Sequence, residues 1–277
     1  MTMPAPRVAP LRADCVADSA GGLTFDVTAR GTNGVAHLVL RRRSGSSPTK
    51  GGGGDEEVSL PLTPAADGRL RAALPSTVAL PEGRWDAYAC FAGGEPERLA
   101  PGATDLRSLA ARTPSGSRGH VAVRIPYETR KGNLTVRSWL RAPHAEAGEL
   151  RVGRAGLTVQ GRVYGTGFAP DAYAELRDRH GPDPARRTEV AVDQTTFGFS
   201  VAYARLAPGI WDLWLRPGGE AGPRVRIARL LDDVADKKPV FTYPRARVPT
   251  PDGPVEAGPY YTRDNDLSVS VSRARSC

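Results

Sequence analysis

Hydrophobic and polar residues alternate in short runs along the chain. Leu23, Phe25 and Val27 fall at every second position, and Trp85 and Ala87 begin a later run of the same kind. Such alternation places the hydrophobic side chains on one side of a β-strand. Comparable runs occur at residues 58–62, 157–163, 211–215 and 225–227. Gly, Pro, Asn and Asp residues separate the runs, so the pattern predicts an all-β chain of short strands joined by turns.

Two phrases each occur twice and in the same order. Residues 83–88 read GRWDAY and residues 209–214 read GIWDLW. Residues 126–130 read PYETR and residues 259–263 read PYYTR. The first pair is displaced by 126 positions and the second by 133. A repeat of this length corresponds to a whole domain, so the chain is predicted to be an internal duplication.

The strand and turn pattern is typical of a sandwich. Several short strands in each copy favour an antiparallel β-sandwich. We predict two tandem antiparallel immunoglobulin-like β-sandwich domains over residues 20–143 and 150–277, preceded by a flexible segment over residues 1–19. The 31 Gly and 25 Pro residues disfavour long helices. Single helical turns are compatible with residues 105–112 and 229–236.

Shorter correspondences extend the duplication between the repeated phrases. Leu40 aligns with Leu176, and the Val58 run aligns with the Val190 run. The displacement changes only by the lengths of the intervening loops. Each copy is therefore expected to contain the same strands in the same order.

Trp85 and Trp211 occupy the same place in the repeated phrase. A large aromatic side chain on a middle strand fills the space between two packed sheets, so both are predicted to be core residues. Asp86 and Asp212 follow them directly. Successive side chains of a strand point to opposite faces, so these two carboxylates are expected to point to solvent.

The chain is basic, with a formal net charge of +8 and a pI near 9.7. A basic surface is compatible with an anionic partner such as nucleic acid, polyphosphate or lipid. The basic residues are dispersed, however, and only Arg41, Arg42 and Arg43 form a cluster, with acidic residues 55–57 close behind. A solvated, mildly basic surface is therefore the favoured interpretation, and nucleic acid is a disfavoured partner.

No motif indicates catalysis. The four His residues match no metal-ligand spacing, and the sequence contains neither a nucleophile elbow nor a phosphate-binding loop. Asp232 and Asp233 lie near Asp236 and Lys237, which indicates a solvated turn of mixed charge. Residues 264–266 read DND, but they begin a strand of the repeated module. We predict no catalytic residue, no metal and no cofactor.

The duplicated tyrosines and arginines are the best candidates for binding. Tyr127 with Arg130, and Tyr260 with Arg263, recur at one spacing. An aromatic face beside a guanidinium can hold a sugar or a phosphate. The alternative is a tyrosine packed at a sandwich corner, with an arginine that caps the loop.

The expected location is the cytoplasm. No apolar run approaches the ~18 residues of a membrane span, and the first residues lack the apolar stretch of a secretory signal. The three cysteines, Cys15, Cys90 and Cys277, form no disulfide framework shared by the copies.

The closing strand carries a resemblance to a known group of modules. Its pattern is Tyr-x-Thr-x-x-Gly-Asn-Leu-Thr-Val over residues 127–136, and the Gly-x-Trp-Asp strand precedes it. Together they resemble tandem immunoglobulin-like modules appended to actinobacterial glycosyltransferases and polyol-phosphate transferases of cell-wall glycopolymer synthesis. They are also similar to the C-terminal region of wall-teichoic-acid sugar transferases. The second copy has Asn265 and Asp266 where the first has Gly132 and Asn133.

The resemblance implies an accessory role. Such a module would form a homo-oligomer, or contact a glycosyltransferase or an anionic glycopolymer. The leading hypothesis is a non-catalytic protein that binds or assembles components of teichoic-acid-like polymer synthesis. The first alternative is a glycosyl- or polyol-phosphate transferase with a site between the two domains. The second is nucleic-acid or polyanion binding through the basic surface.

Overall fold

A computed structural model of the chain describes residues 9–28, 34–43, 56–92, 94–110, 112, 114, 119–181 and 184–274. The chain divides into two compact units. Unit 1 comprises Met1–Arg112 and Ala122–Leu140, and unit 2 comprises Thr113–Val121 and Arg141–Cys277. Nearly all of the regular secondary structure is β-strand, which confirms the prediction of two tandem β-sandwiches. Among the described residues, no helix has the length and apolar character needed to span a bilayer.

In addition to a 3-10 helix (Ala66–Gly68), the described part of unit 1 contains ten strands and one short α-helix. In chain order they are β1 (Arg12–Ala17), β2 (Leu23–Thr28), β3 (Ala36–Arg42), β4 (Glu57–Pro64), β5 (Arg69–Leu74), β6 (Gly83–Phe91), β7 (Glu97–Arg98), β8 (Ala100–Asp105), α1 (Arg107–Ala110), β9 (Val121–Glu128) and β10 (Leu134–Arg141). The strand order is β8-β1-β2-β5-β4-β3-β6-β10-β9, with β7 beside β6. β4 pairs with both β3 and β5 and so connects the two layers. α1 lies within the predicted helical turn at 105–112.

In addition to a 3-10 helix (Tyr203–Arg205), the residues that the structure describes in unit 2 form eleven strands. They are β11 (His144–Val152), β12 (Gly156–Tyr164), β13 (Tyr173–Asp178), β14 (Arg186–Glu189), β15 (Ala191–Asp193), β16 (Thr196–Ala202), β17 (Gly209–Arg216), β18 (Val225–Ala228), β19 (Ala246–Val248), β20 (Val255–Tyr261) and β21 (Leu267–Arg273). The order is β15-β16-β12-β11-β18-β17-β21-β20-β19, and β13 lies between β14 and β17. The segment 229–236 contains no helix, so the helical turn expected there is wrong.

The two units repeat the same strand pairing. β1–β2, β2–β5, β3–β6 and β6–β10 correspond to β11–β12, β12–β16, β13–β17 and β17–β21. The register agrees residue by residue, since Trp85 pairs with Val136 and Trp211 pairs with Val269. This agreement supports the duplication independently of the sequence.

Both repeated tryptophans lie in the cores. Trp85 is 1% exposed and Trp211 is 0% exposed. Each indole Nε1 donates to a carbonyl four residues earlier, at 3.0 Å to Pro81 and 2.9 Å to Ala207. Trp139 on β10 is also fully buried, which the repeated phrases did not indicate.

Four details correct the sequence predictions. The segment expected to be flexible, residues 1–19, contains β1, whose alternate side chains are buried; residues 1–8 lie outside the described residues. The expected gap between the domains, residues 144–149, is part of β11. The sandwiches are not wholly antiparallel, because β1 pairs parallel with β8 and β11 pairs parallel with β18.

The strand that corresponds to β4 in unit 2 also differs from the prediction, which aligned the Val58 run with the Val190 run. Leu40 pairs with Val58 in unit 1, whereas Leu176 pairs with Arg186 in unit 2. The counterpart of Val58 is therefore Arg186 rather than Val190. The two runs have similar sequences, but the loop before β14 differs in length and shifts the correspondence.

Candidate binding site

The aspartate of the repeated phrase is the centre of an arginine network in unit 1. Asp86 on β6 accepts from Arg43 Nε at 2.8 Å and pairs with Arg98 Nη2 at 2.6 Å. The Thr135 hydroxyl on β10 donates to Asp86 Oδ1 at 2.9 Å and accepts from both guanidiniums. Arg98 also donates to the carbonyl oxygens of Ala87 and Leu134. The network therefore ties three strands together.

Unit 2 has the same network at the same positions. Asp212 accepts from Arg179 Nη2 at 2.5 Å and from Arg226 Nη2 at 2.6 Å. The Ser268 hydroxyl donates to Asp212 Oδ1 at 2.9 Å and accepts from both arginines at 3.2 Å. Asp86 pairs with Thr135 in the sheet register, just as Asp212 pairs with Ser268.

These networks correct the expectation that the two aspartates point to solvent. The Asp86 and Asp212 side chains are only 18% and 15% exposed. They do lie on the face opposite the tryptophans, but arginines from neighbouring strands cover that face. In unit 1 two guanidiniums share the Asp86 carboxylate, whereas in unit 2 a further carboxylate, Asp266, lies 3.5 Å from Arg226 Nε.

An aromatic ring lies beside each network. Arg98 stacks over the Tyr88 ring at 4.9 Å from its centroid, and Arg226 stacks over the Trp214 ring at 4.9 Å. A cation over an aromatic face is favoured electrostatically, more so where water is partly excluded. The arginine planes are therefore held in place in both units.

The predicted tyrosines lie next to the networks. Tyr127 and Tyr260 are half-buried on β9 and β20. The pKa of Arg43 is raised, first by its hydrogen bond to Asp86, with smaller contributions that include the Tyr127 phenol. The pKa of Arg179 is raised, first by its hydrogen bond to Asp212, and Tyr260 contributes through its charge and a hydrogen bond.

The predicted arginines lie on two turns of the same geometry. In unit 1, Thr129 N donates to the carbonyl of Asn133, and Asn133 N donates to Thr129 Oγ1 at 3.1 Å. In unit 2, Thr262 and Asp266 repeat both bonds. Arg130 and Arg263 are exposed on these turns. The geometry thus places the two arginines equivalently, as the spacing predicts.

A left-handed residue explains the Gly/Asn difference between the turns. Gly132 has φ +75° and Asn265 has φ +61°. Glycine adopts this conformation without strain, and asparagine is among the few other residues that tolerate it. Asn265 therefore replaces Gly132 without altering the turn.

The DND sequence has a structural role. Asn265 is fully buried; its Oδ1 accepts from Lys237 N at 3.2 Å and its Nδ2 donates to the Ala235 carbonyl at 3.2 Å. Asp266 pairs with Arg226 and Arg141 at 3.5 and 3.4 Å. Asn265 and Asp266 thus both make contacts that stabilise the fold of unit 2. Among the described residues, no group of three or more His, Cys, Asp or Glu side chains could hold a metal ion.

The segment that contains Asp232 and Lys237 is not a solvated turn, which corrects the sequence prediction. Lys237 is 0% exposed, and its Nζ donates to Asp232 Oδ1 and the Val234 carbonyl, each at 2.7 Å. Burial lowers the pKa of Lys237, and the nearby Asp232 charge opposes that shift. The ion pair lies within this segment, and Asn265, in the turn before β21, binds the segment's backbone at Lys237 and Ala235.

The arginine cluster at residues 41–43 is neutralised within unit 1. Arg41 pairs with Glu57 at 2.7 Å and Arg42 pairs with Glu56 at 2.7 Å. Arg43 belongs to the Asp86 network. The sequence shows the cluster, but only the pairing of β3 with β4 and β6 shows that each guanidinium has a carboxylate.

We expect unit 2 to lose stability as the pH falls from about 4 to about 2. Burial opposes the ionisation of Asp212, but hydrogen bonds from Arg179 and Arg226 outweigh it and lower its pKa to about 2. A depressed carboxylate pKa stabilises the fold above the unfolded pKa, and this stabilisation is lost as pH falls through the folded value. The shift corresponds to about 2 kcal/mol.

Urea unfolding of the wild type and of Asp212→Asn from pH 5 to 2 measures this loss of stability. The wild type should lose more stability than the variant, and parallel curves would contradict the assignment.

The chain matches no family model and no curated protein sequence. Among solved structures it is similar to TarS from S. aureus at 14% identity and a TM-score of 0.39, over 57% of this chain and 28% of TarS. A shorter TarS structure matches at 12% identity and a TM-score of 0.31, over 69% of this chain and 55% of that one. Type I pullulanase from Bacillus subtilis, complexed with maltose, matches at 10% identity and a TM-score of 0.24, over 79% and 25% of the two chains. The chain thus spans less than two thirds of each TarS chain, and at these TM-scores the likeness does not extend to an activity or a ligand.

Proposed function

We propose that the chain is a non-catalytic tandem β-sandwich protein that binds an anionic polymer, as an accessory to cell-wall glycopolymer synthesis. The observation that carries this proposal is the repeated surface. Each unit has an exposed turn arginine, a half-buried tyrosine and an Asp-centred pair of guanidiniums at equivalent positions. The resemblance of the closing strand to modules of glycopolymer transferases supports the choice of polymer.

The chemistry of the surface suits phosphate groups. A guanidinium donates two parallel hydrogen bonds to phosphate oxygens, and the charge adds to their strength. Two binding surfaces on one chain raise the apparent affinity for a polymer, because the second contact forms intramolecularly. A repeating polyanion uses both surfaces, whereas a small anion uses one.

The alternatives have less support. Asp266 pairs with arginines and Asn265 holds the loop before it, which leaves the DND sequence little freedom for a transferase site. Nucleic-acid binding through residues 41–43 is disfavoured, because Glu57 and Glu56 pair with Arg41 and Arg42, and Arg43 is engaged with Asp86. An accessory binding role remains the proposal.

The turn arginines provide the test. We expect Arg130→Gln with Arg263→Gln to weaken binding of the full chain to poly(glycerol phosphate) by about 5- to 30-fold, because two exposed charge contacts are each worth up to about 1 kcal/mol. Biolayer interferometry at 50 and 200 mM salt measures the affinity, which should fall with salt for the wild type.

Arg41→Gln with Arg42→Gln is the matched control, since it removes the same charge from arginines that are already paired. We expect a smaller effect from this variant. Equal binding by the wild type and the turn variant would remove the proposed site. Turnover of a sugar nucleotide or CDP-activated polyol that disappears when Asp264 and Asp266 are replaced would establish the transferase alternative.

A further inference from the structure

One face of unit 2 differs from its counterpart in unit 1. In unit 1, Val39 on β3 pairs with Tyr88 on β6. In unit 2, Glu175 on β13 pairs with Trp214 on β17 at the same register. Glu175 is 3% exposed and Val39 is 4% exposed, so a carboxylate replaces a buried aliphatic side chain.

The cross-strand pair two residues earlier on β3 and β13 also differs between the units. His37 pairs with Cys90 in unit 1, and Tyr173 pairs with Arg216 at the equivalent place in unit 2. A duplication keeps a residue in both copies when the fold needs it. The fold common to both copies therefore does not require Glu175 or Arg216 at these places.

Three guanidiniums surround the Glu175 carboxylate. Arg224 Nε lies 3.8 Å from it, Arg216 Nε 3.9 Å and Arg177 Nη1 4.0 Å. These distances exceed hydrogen-bond length, and Glu175 Oε1 has no hydrogen-bond partner among the described residues. One negative charge holds three positive charges together, which leaves an excess of two.

Two of these arginines keep their donors for a ligand. The Arg177 and Arg224 side chains are 47% and 43% exposed, and neither donates a hydrogen bond to any residue that the structure describes. In unit 1, by contrast, Arg42 and Arg43 donate to Glu56 and Asp86. The Glu175 charge therefore positions the guanidiniums of Arg177 and Arg224 without accepting hydrogen bonds from them.

Buried polar atoms without a described partner accumulate on this face. They are the Tyr173 hydroxyl, Glu175 Oε1, Arg216 Nε, and Nε and Nη1 of Arg226. Buried polar groups nearly always have hydrogen-bond partners, so such a group requires an explanation. A bound group that brings acceptor oxygens would supply partners for the donors of Arg177 and Arg224, whose half-exposed side chains flank the buried Glu175 carboxylate.

We propose that this face, formed by Tyr173, Glu175, Arg177, Arg216 and Arg224, binds a phosphodiester group of a polyol-phosphate or sugar-phosphate polymer. This inference rests on the proposed function and specifies where the polymer is recognised. Phosphate fits because its tetrahedral oxygens can accept from several converging guanidiniums. Glu175 acts as a positioning residue, since it draws the arginines together without touching the ligand.

The test uses the full chain and poly(glycerol phosphate). Arg177→Gln with Arg224→Gln should weaken binding about tenfold, because two charge-assisted phosphate contacts are removed. Arg177→Lys with Arg224→Lys should also weaken it, since lysine keeps the charge and loses the bidentate geometry. Arg154→Gln with Arg205→Gln is the matched control. Both arginines are exposed in unit 2, so this double substitution removes the same amount of positive charge. Circular dichroism and a thermal melt verify folding of each variant.

Each outcome decides between the two proposals. This inference is overturned if the Arg177/Arg224 glutamine or lysine variants bind with wild-type affinity while the Arg130/Arg263 variant binds weakly. That result leaves the proposed function in place. Absence of polymer binding by the wild-type chain overturns both. Equal affinity for polyglutamate, lost in the same variants, overturns the phosphate assignment in favour of a general anion site.

Discussion

Replacing Trp211 with alanine is expected to lower the free energy of unfolding by about 3–5 kcal/mol. The side chain is 0% exposed in the core of unit 2, and its indole nitrogen donates to the Ala207 carbonyl at 2.9 Å. Alanine leaves a large cavity and an unpaired carbonyl. Urea unfolding of the full chain, followed by far-ultraviolet circular dichroism, measures the loss.

Trp85→Ala should have an effect of the same size in unit 1, since its burial and hydrogen bond are equivalent. Trp214→Ala is the control, because Trp214 is half-buried on the opposite face of β17 and should cost less. A Trp211→Ala protein that is fully folded and has lost only polymer binding would make this residue a surface platform and contradict the core assignment.

Asp212→Ala is expected to destabilise unit 2 by about 3 kcal/mol. The carboxylate accepts from Arg179 and Arg226, and the Arg226 side chain is 9% exposed. Removing Asp212 takes away the closer carboxylate of Arg226 and leaves Asp266 at 3.5 Å, and losing one partner of a buried ion pair costs more than the pair itself contributes. The same urea experiment at pH 7 measures the change.

The double variant Asp212→Ala with Arg226→Met separates this cause from lost packing. Methionine removes the Arg226 charge and keeps much of the side-chain volume, so part of the stability should return. A loss below about 0.5 kcal/mol for Asp212→Ala alone would mean that solvent already screens the network.

The repeated phrases predicted the duplication, and the pattern of short strands and turns predicted the sandwich class. Period-two alternation specifies which side chains a strand buries, because successive side chains point to opposite faces. Trp85 and Trp211 could therefore be assigned to cores without coordinates. The sequence shows Gly132 and Asn265 at equivalent places, but only the structure shows that both residues have a left-handed backbone in the same turn.

The binding candidates were only partly visible in the sequence. Tyr127, Arg130, Tyr260 and Arg263 stand out by repetition, and their role stays a prediction. Arg98 and Arg226 belong to no repeated phrase, although each occupies the same register position. Strand alternation shows that Asp212 leaves the core, but it does not reveal which side chains cover the opposite face.

Only the tertiary structure decided which charges meet. Glu175 lies near Arg216 because β13 pairs with β17, and near Arg224 because β18, which Arg224 directly precedes, also pairs with β17. Lys237 is buried because Asp232 and Asn265 form its surroundings, and nothing in its local sequence distinguishes it from a solvated lysine. The sequence determined which residues each strand buries, because alternation is local. Electrostatic pairing depends on strand order and register, which are properties of the folded chain.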